Sequence, residues 1–401
     1  MKYRNPIISG YNPDPSICRV GEDYYIANSS FEFYPGVPVY HSRNLVNWEL
    51  QGYCLTEEAQ LDLHGCRPSG GIYAPTIRYH QGTFFMTTTN TSGKGNFIVH
   101  TSDMGKGWSK PAWVDQGGID PSLLFDDDGT VYFASTNIDG EGKTGIFLCQ
   151  VNPFTGERLT ESIIISRGCG GRYAEGPHLY KWFGRYYLML AEGGTEYGHM
   201  ETILRSDSPY GPFEPCPHNP ILTHRDDMRE EIYCTGHADM IEDHNGNWWM
   251  VCLAVRPCQE KKDRVLLHNL GRETFLAPVV WTKDGWPVVG EMGLISPEMD
   301  GPLPGEPPLP VNRDFTDDFS NDVFSTHYNF LRNPSMENYI RDTVNGRLIL
   351  IGTSTTINEM ASPTWIGVRQ KGFETVSTVK VTLPDAVQGM RAGLTAYYND
   401  S

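Results

Sequence analysis

Three carboxylates and one imidazole stand at matching places in a pattern that recurs along this chain. Asp14 opens "DPSICRV", Asp120 lies in "IDPSLLFD", Glu175 in "AEGPHLYK" and His237 in "GHADMIED". Each marks the point where small or polar residues give way to an apolar, strand-like run. Ala74 of "YAPTIRYH" holds the remaining place in the series. Taken singly, Asp14 and Asp120 read as turn residues, because Asp-Pro is a common turn pair. Taken together, three acids at one repeat position imply a role, since converging like charges are costly and shift one another's pKa. Hydrolysis of a glycosidic bond needs such a set: an acid for the leaving oxygen, a carboxylate to activate water, and a neighbour that keeps the acid protonated. Those proton transfers require no metal.

Residues so far apart in sequence meet only if a repeated scaffold brings them together. Five segments share one plan of turn residues, aromatic or β-branched residues, then an apolar run: "VGEDYYIANSS", "HQGTFFMTTTN", "DDGTVYFASTN", "WFGRYYLMLAE" and "HNGNWWMVCLA". Gly or an acidic residue supplies each tight turn, and aromatics suit a half-buried pleated strand. The segments lie roughly 50–60 residues apart, the size of a four-stranded propeller blade with its loops. Pieces such as "HSRNLVNW", "TSDMGKGW" and "RSDSPYGPF" follow three of them and read as outer strands with their turns. The expected fold is all-β: a five-bladed β-propeller over residues 1–296, followed by a further β-rich domain. A β-sandwich throughout does not account for a fivefold recurrence. The first strand of every blade lines the central channel, so Asp14, Asp120, Glu175 and His237, counted as one equivalent slot per blade, are expected to ring a single polar basin.

Composition agrees with this reading. The 401 residues include 12% aromatics, 42 Gly and 28 Pro, which favours short strands joined by turns. With 32 Lys and Arg against 49 Asp and Glu, the formal charge is −17. An acidic surface repels phosphate backbones, so nucleic acid and anionic membrane are excluded as partners, whereas a neutral sugar is compatible. No apolar stretch approaches the length needed to span a bilayer. Nine scattered cysteines without a C-x-x-C pattern read as free thiols. With no hydrophobic signal region in "MKYRNPIISG", the expected location is cytoplasmic.

Six motifs, "NPDPSI", "GGIYAP", "GGIDPSLLFDDDG", "AEGPHLYK", "TGHADMIE" and "LGRETFLAPVVW", together resemble glycoside hydrolase family 43, in the family's order and over about residues 5–295. The resemblance implies hydrolysis with inversion, Asp14 as general base, Glu175 as general acid and Asp120 as the residue that tunes and orients the acid. It implies that Arg272 of "LGRETF" reaches the sugar pocket and pairs with the carboxylates. It also makes His237 the axial histidine, which in some members contacts a divalent cation, often calcium, through water; a hydrogen-bonded structural histidine is the other reading. Phe31 is the implied apolar wall beneath the sugar, Tyr73 and Ile119 flank two lead positions, and Thr195 is a candidate polar contact. The stretch "SSFEFYPGVPVYHSRNLVNW" resembles the exo-acting pentosidases of the family, implying xylo- or arabinoxylo-oligosaccharides as substrates, with terminal β-D-xylosyl ahead of α-L-arabinofuranosyl release. A mainly arabinofuranosidase activity and a non-catalytic sugar-binding propeller are the alternatives.

The Pro/Gly-dense run at 297–311 reads as a linker. Residues 312–401 then resemble the β-sandwich that follows the propeller in related xylosidases, with strands near "GRLILIG", "WIGVRQK", "TVSTVKVTL" and "RAGLTAYY". The family's sandwich is about twice as long, so this one is expected to be incomplete. Strand edges left open in that way favour a partner, such as a second copy in a homo-oligomer.

Overall fold

The computed structural model describes residues 1–401 apart from 228, 230, 259–266, 384–388 and 400–401. Five antiparallel sheets follow one another along the chain, each a meander of four strands, the fourth with one extra strand. The first runs through Ser16–Val20, Asp23–Ala27, Gly36–Ser42 and Glu49–Leu55. The innermost strands of the next four are Thr76–His80, Ile119–Phe125, Glu175–Trp182 and Tyr233–Glu242. Each pairs with the aromatic strand anticipated from sequence: Asp23–Ala27, Thr83–Asn90, Val131–Ile138, Arg185–Glu192 and Trp248–Val255. "HSRNLVNW" and "TSDMGKGW" fall at connections between third and fourth strands.

The innermost strands pack on one another in order and the fifth returns to the first, so the sheets close into a ring around a channel. This is a propeller. Among the described residues, closure involves no shared strand within a blade. Instead the N-terminal strand Lys2–Arg4 pairs with Glu298–Asp300, and Asn5 exchanges side-chain hydrogen bonds with the main chain of Leu276, both 2.9 Å. The apolar core lies between blades, where Tyr24, Tyr187, Phe133, Trp249 and Phe275 are fully buried.

The segment expected as a linker is laid along the propeller. Glu298–Asp300 forms the strand just described, and Asn44 and Asn47 donate to the carbonyls of Glu306 and Leu309. Beyond it, Tyr328–Leu331 pairs with Phe33–Tyr34 of the propeller and with Gly367–Val368, and Tyr339–Asp342 pairs with Arg347–Leu350. "TVSTVKVTL" and "RAGLTAYY", read as strands, form no ladder here. Their β-branched alternation is a strand pattern, but a strand exists only with a neighbour to bond. All nine cysteines are free, and among the described residues no helix is long and apolar enough to cross a membrane.

Candidate active site

The innermost strands do not enter the channel smoothly. In the third, fourth and fifth blades the pairing register slips by one residue, between Ile119 and Ser122, Glu175 and His178, and Gly236 and Asp239. The first residue of each bulge takes a left-handed backbone: Asp120 at φ 55°, Gly176 at 58° and His237 at 46°. Asp14, two residues before its strand, has the same conformation at 52°. Bulges of this kind bend a strand and re-aim a side chain. Here the bulges turn Asp120 and His237 into the channel mouth, and the same left-handed backbone turns Asp14 there from just before its strand.

This corrects one element of the sequence reading. The slot in the fourth blade belongs to Gly176, and Glu175 stands one residue earlier, equivalent to Ile119, Gly236 and, by its pairing with Thr89, Tyr73. The bulge inserts a residue that counting back from the aromatics does not reveal. Gly176 is glycine for two reasons: its positive φ, and the His237 ring, which would lie 3.1–3.2 Å from an added Cβ. Its amide donates to Asp120 Oδ2 at 3.3 Å, tying the third blade to the fourth beside Glu175.

Asp14 is buried and well supported. Ser29 Oγ donates to its Oδ2 at 2.5 Å, Arg272 Nη1 to its Oδ1 at 3.0 Å, and His237 Nδ1 lies 3.7 Å from Oδ1. Burial works to raise its pKa, but Arg272, His237 and Ser29 together hold the carboxyl below its ordinary range. Glu175 is in the opposite condition. Burial and then the negative charge of Asp14 push it up to about 7, against a smaller pull from Arg272. Asp120 is pushed well up by burial, then by Glu175 and Asp14. Asp120 and Glu175 therefore titrate as a pair that retains a proton near neutral pH. Burial keeps His237 neutral by lowering its pKa.

The remaining predicted residues separate into two groups. Arg272 bridges the site: it binds Asp14, its guanidinium lies 5.2 Å from the centre of the Phe31 ring, and its charge acts on the Tyr11 hydroxyl. Phe31, itself left-handed at φ 49°, stacks on Tyr11 at 5.8 Å and meets the tilted ring of Tyr73 at 5.4 Å. Ile119 begins its strand at the position equivalent to Glu175. Thr195 sits exposed in the loop after Arg185–Glu192 and makes no hydrogen bond to the cluster. Among the described residues no three His, Cys, Asp or Glu side chains converge as a metal cage, so the protein groups around His237 do not fit a directly ligated cation.

Tyr11 and Ser29 were absent from the sequence reading. Ser29 was findable, because Ser16 pairs with Ala27 and the same register extended outward sets residue 29 opposite Asp14. Tyr11 had no such signal. It is fixed by tertiary contacts alone, pressed against Gly271, where an added Cβ would meet its ring at 2.5 Å.

Comparison with known proteins agrees with this architecture. Residues 3–287 match the family described as glycosyl hydrolases family 43, and residues 316–401 match the beta xylosidase C-terminal Concanavalin A-like domain. The chain is 42% identical to the non-reducing end alpha-L-arabinofuranosidase of Bacteroides ovatus, over 99% of this chain and 74% of the relative. It is 35% identical to the beta-xylosidase of Bacillus subtilis, over 100% of this chain and 78% of that one. Among solved structures, the Bacteroides ovatus xyloglucan-locus protein superposes with a TM-score of 0.86 over 93% of this chain and 73% of its own, at 42% identity. Xylan beta-1,4-xylosidase from Bacillus halodurans gives 0.85 over 92% and 72%, at 35% identity. A propeller carrying paired carboxylates, followed by a Concanavalin A-like β-sandwich domain, thus has its place: the chain belongs to glycosyl hydrolase family 43 and is a glycosidase.

Proposed function

We propose that this glycosidase acts from the non-reducing end of xylo- or arabinoxylo-oligosaccharides, releasing terminal β-D-xylosyl and α-L-arabinofuranosyl units with inversion. The relatives' names supply the two sugars. The observation that carries the reading is the opposed protonation of two carboxyls at one channel mouth: Asp14 held down and Glu175 raised to about 7. Two carboxyls whose surroundings drive their pKa values apart make a base and an acid.

In this reading Asp14 takes a proton from water as its oxygen bonds the anomeric carbon. Glu175 gives its proton to the glycosidic oxygen as the old bond breaks, and the shortened oligosaccharide leaves neutral. Burial and the charge of Asp14 keep Glu175 protonated, and Asp120, held by the Gly176 amide, stands beside it as the second carboxyl of the pair. Arg272 holds Asp14 and presents its other donors to sugar hydroxyls, while Phe31 and Tyr73 form an apolar wall. Neutral His237 offers a further hydrogen bond, and a water-held calcium beside it is not needed for either proton transfer.

The test is incubation with chromogenic β-xyloside and α-arabinofuranoside, with and without chelator. Release from both, unchanged by chelator, is expected. Release from neither would sink the pentosidase reading, and a loss restored by calcium would return the metal to the site.

A further inference from the structure

The innermost strands also end somewhere. Away from the carboxylates their far ends line an open depression of about 560 Å³, to which every blade contributes. Seven residues of strand separate Glu175 from Trp182 at its edge, a distance of about 20 Å. The two mouths do not communicate freely. Between them Arg78 binds Asp239 at 2.7 Å and His178 at 2.9 Å, and Tyr180 donates to Asp239 at 2.6 Å, a buried knot that forms the floor of the depression.

The rim of this depression is aromatic and breaks a local rule. The hairpin between first and second strands turns through Gly21 in the first blade, Gln81-Gly82 in the second, Asp128-Gly129 in the third and Asn245-Gly246 in the fifth. The fourth blade places Phe183 there, at φ 51°, followed by Gly184 at 75°, the same left-handed pair that Gln81 at 47° and Gly82 at 84° make in the second blade, while the third and fifth blades turn through longer loops. That turn favours Asn, Asp or Gly, and a bulky aromatic is poorly suited to it. Phe183 gains no core burial in return, for it is 65% exposed. Its ring stands 5.7 Å from Trp248 and 5.0 Å from Trp281, and Trp182 meets Trp248 edge-on at 5.0 Å, so the rings brace one another. Strain without burial points to function at the surface.

We propose that this second mouth is a binding site for a neutral oligosaccharide chain, separate from the catalytic pocket. Phe183 and Trp248 supply ring faces for the C–H surface of the sugars. Arg19, His80 and Glu242, also in the lining, supply donors and acceptors for hydroxyls. The volume of the depression falls within the range of small-ligand sites. The formal charge of −17 opposes a polyanion, and the mixture of rings with polar groups is ill-matched to a purely apolar ligand. The channel knot means that a chain held here cannot thread through to Glu175. The site therefore acts by holding the enzyme on its polysaccharide.

The test is native electrophoresis of the full chain in gels containing soluble arabinoxylan, with turnover of chromogenic xyloside measured in parallel. Phe183→Asn installs a residue the turn prefers, so the fold is retained. Wild type should be retarded, and Phe183→Asn should bind about tenfold more weakly, the equivalent of one aromatic contact, with xyloside turnover unchanged. Absence of retardation in wild type, or equal retardation of the variant, overturns the site. So does a change of oligomeric state in Phe183→Asn without a change in sugar retardation, which would make the rim a contact between copies. Wild type that is retarded but inactive on pentosides would refute the catalytic reading and leave this one standing.

Discussion

Asp14 and Glu175 share a channel mouth yet have their pKa values moved in opposite directions, and single side chains account for the difference. Asp14 has Arg272, Ser29 and His237; Glu175 has burial and a negative neighbour. Activity therefore needs Asp14 ionised and Glu175 protonated. The acidic limb of the pH profile of kcat/KM is expected below the ordinary carboxylate range, and the basic limb, where Glu175 loses its proton, near 7. Glu175→Ala should lose about 10²–10⁴-fold on xylo-oligosaccharides, whose leaving group needs the proton, and much less on activated aryl glycosides. Wild-type rates on the oligosaccharides would rule Glu175 out as the acid. The flattened basic limb of that variant is the companion measurement. At this scale the sequence was informative where residue type and motif coincide, as at Asp14, Asp120, Glu175 and Arg272. It was silent on Tyr11, whose contacts with Gly271, Phe31 and Arg272 come from distant segments and leave no local pattern.

Between the two mouths the innermost strands are joined by a polar knot, and its behaviour belongs to the strands as a set. Arg78 of the second blade reaches Asp239 of the fifth, His178 of the fourth and Ser16 of the first, so one guanidinium spans the axis. Asp239 is fully buried, and although burial opposes its charge, Arg78, His178 and Ser16 bring its pKa down to about 2. Because the folded value lies below the unfolded one, its stabilisation is present above about pH 4 and fades as pH falls towards 2. The contribution lost is on the order of 2 kcal/mol. Arg78→Met leaves Asp239 buried without its cation and should cost about 3–5 kcal/mol, read as a lowered midpoint in urea. The same strands show what pattern reading can and cannot reach. The aromatic strands were legible because a turn signal precedes each one. The one-residue slip at Glu175 was not, because a bulge changes register without changing composition.

Across the whole molecule the C-terminal residues are fastened to the first two blades. Tyr328–Leu331 pairs antiparallel with Phe33–Tyr34, and fully buried Arg332 donates to the carbonyls of Cys66, Glu359 and Ala361. Arg332→Met should loosen that attachment, seen as faster proteolysis within 312–401 with pentosidase activity less affected. An unchanged cleavage rate would show that the strand pairing suffices. The Pro/Gly run was legible in the sequence as a stretch unsuited to a helix or a central strand. That the run is laid along the propeller was not, because its bonds are to Asn44 and Asn47, far back in sequence. The ring of left-handed slots at the channel mouth has one last consequence, which concerns how such a molecule can change over generations. A backbone with positive φ filters the alphabet of residues it accepts, admitting Gly, Asn, Asp and His readily and longer or branched acids poorly. Aspartates at 14 and 120 can thus drift to Asn without disturbing the main chain, giving silent ancestors or clean laboratory knock-outs. A glutamate suits those slots less well than Asp or Asn, and the longer acid is found one residue upstream, at the start of the strand Glu175–Trp182.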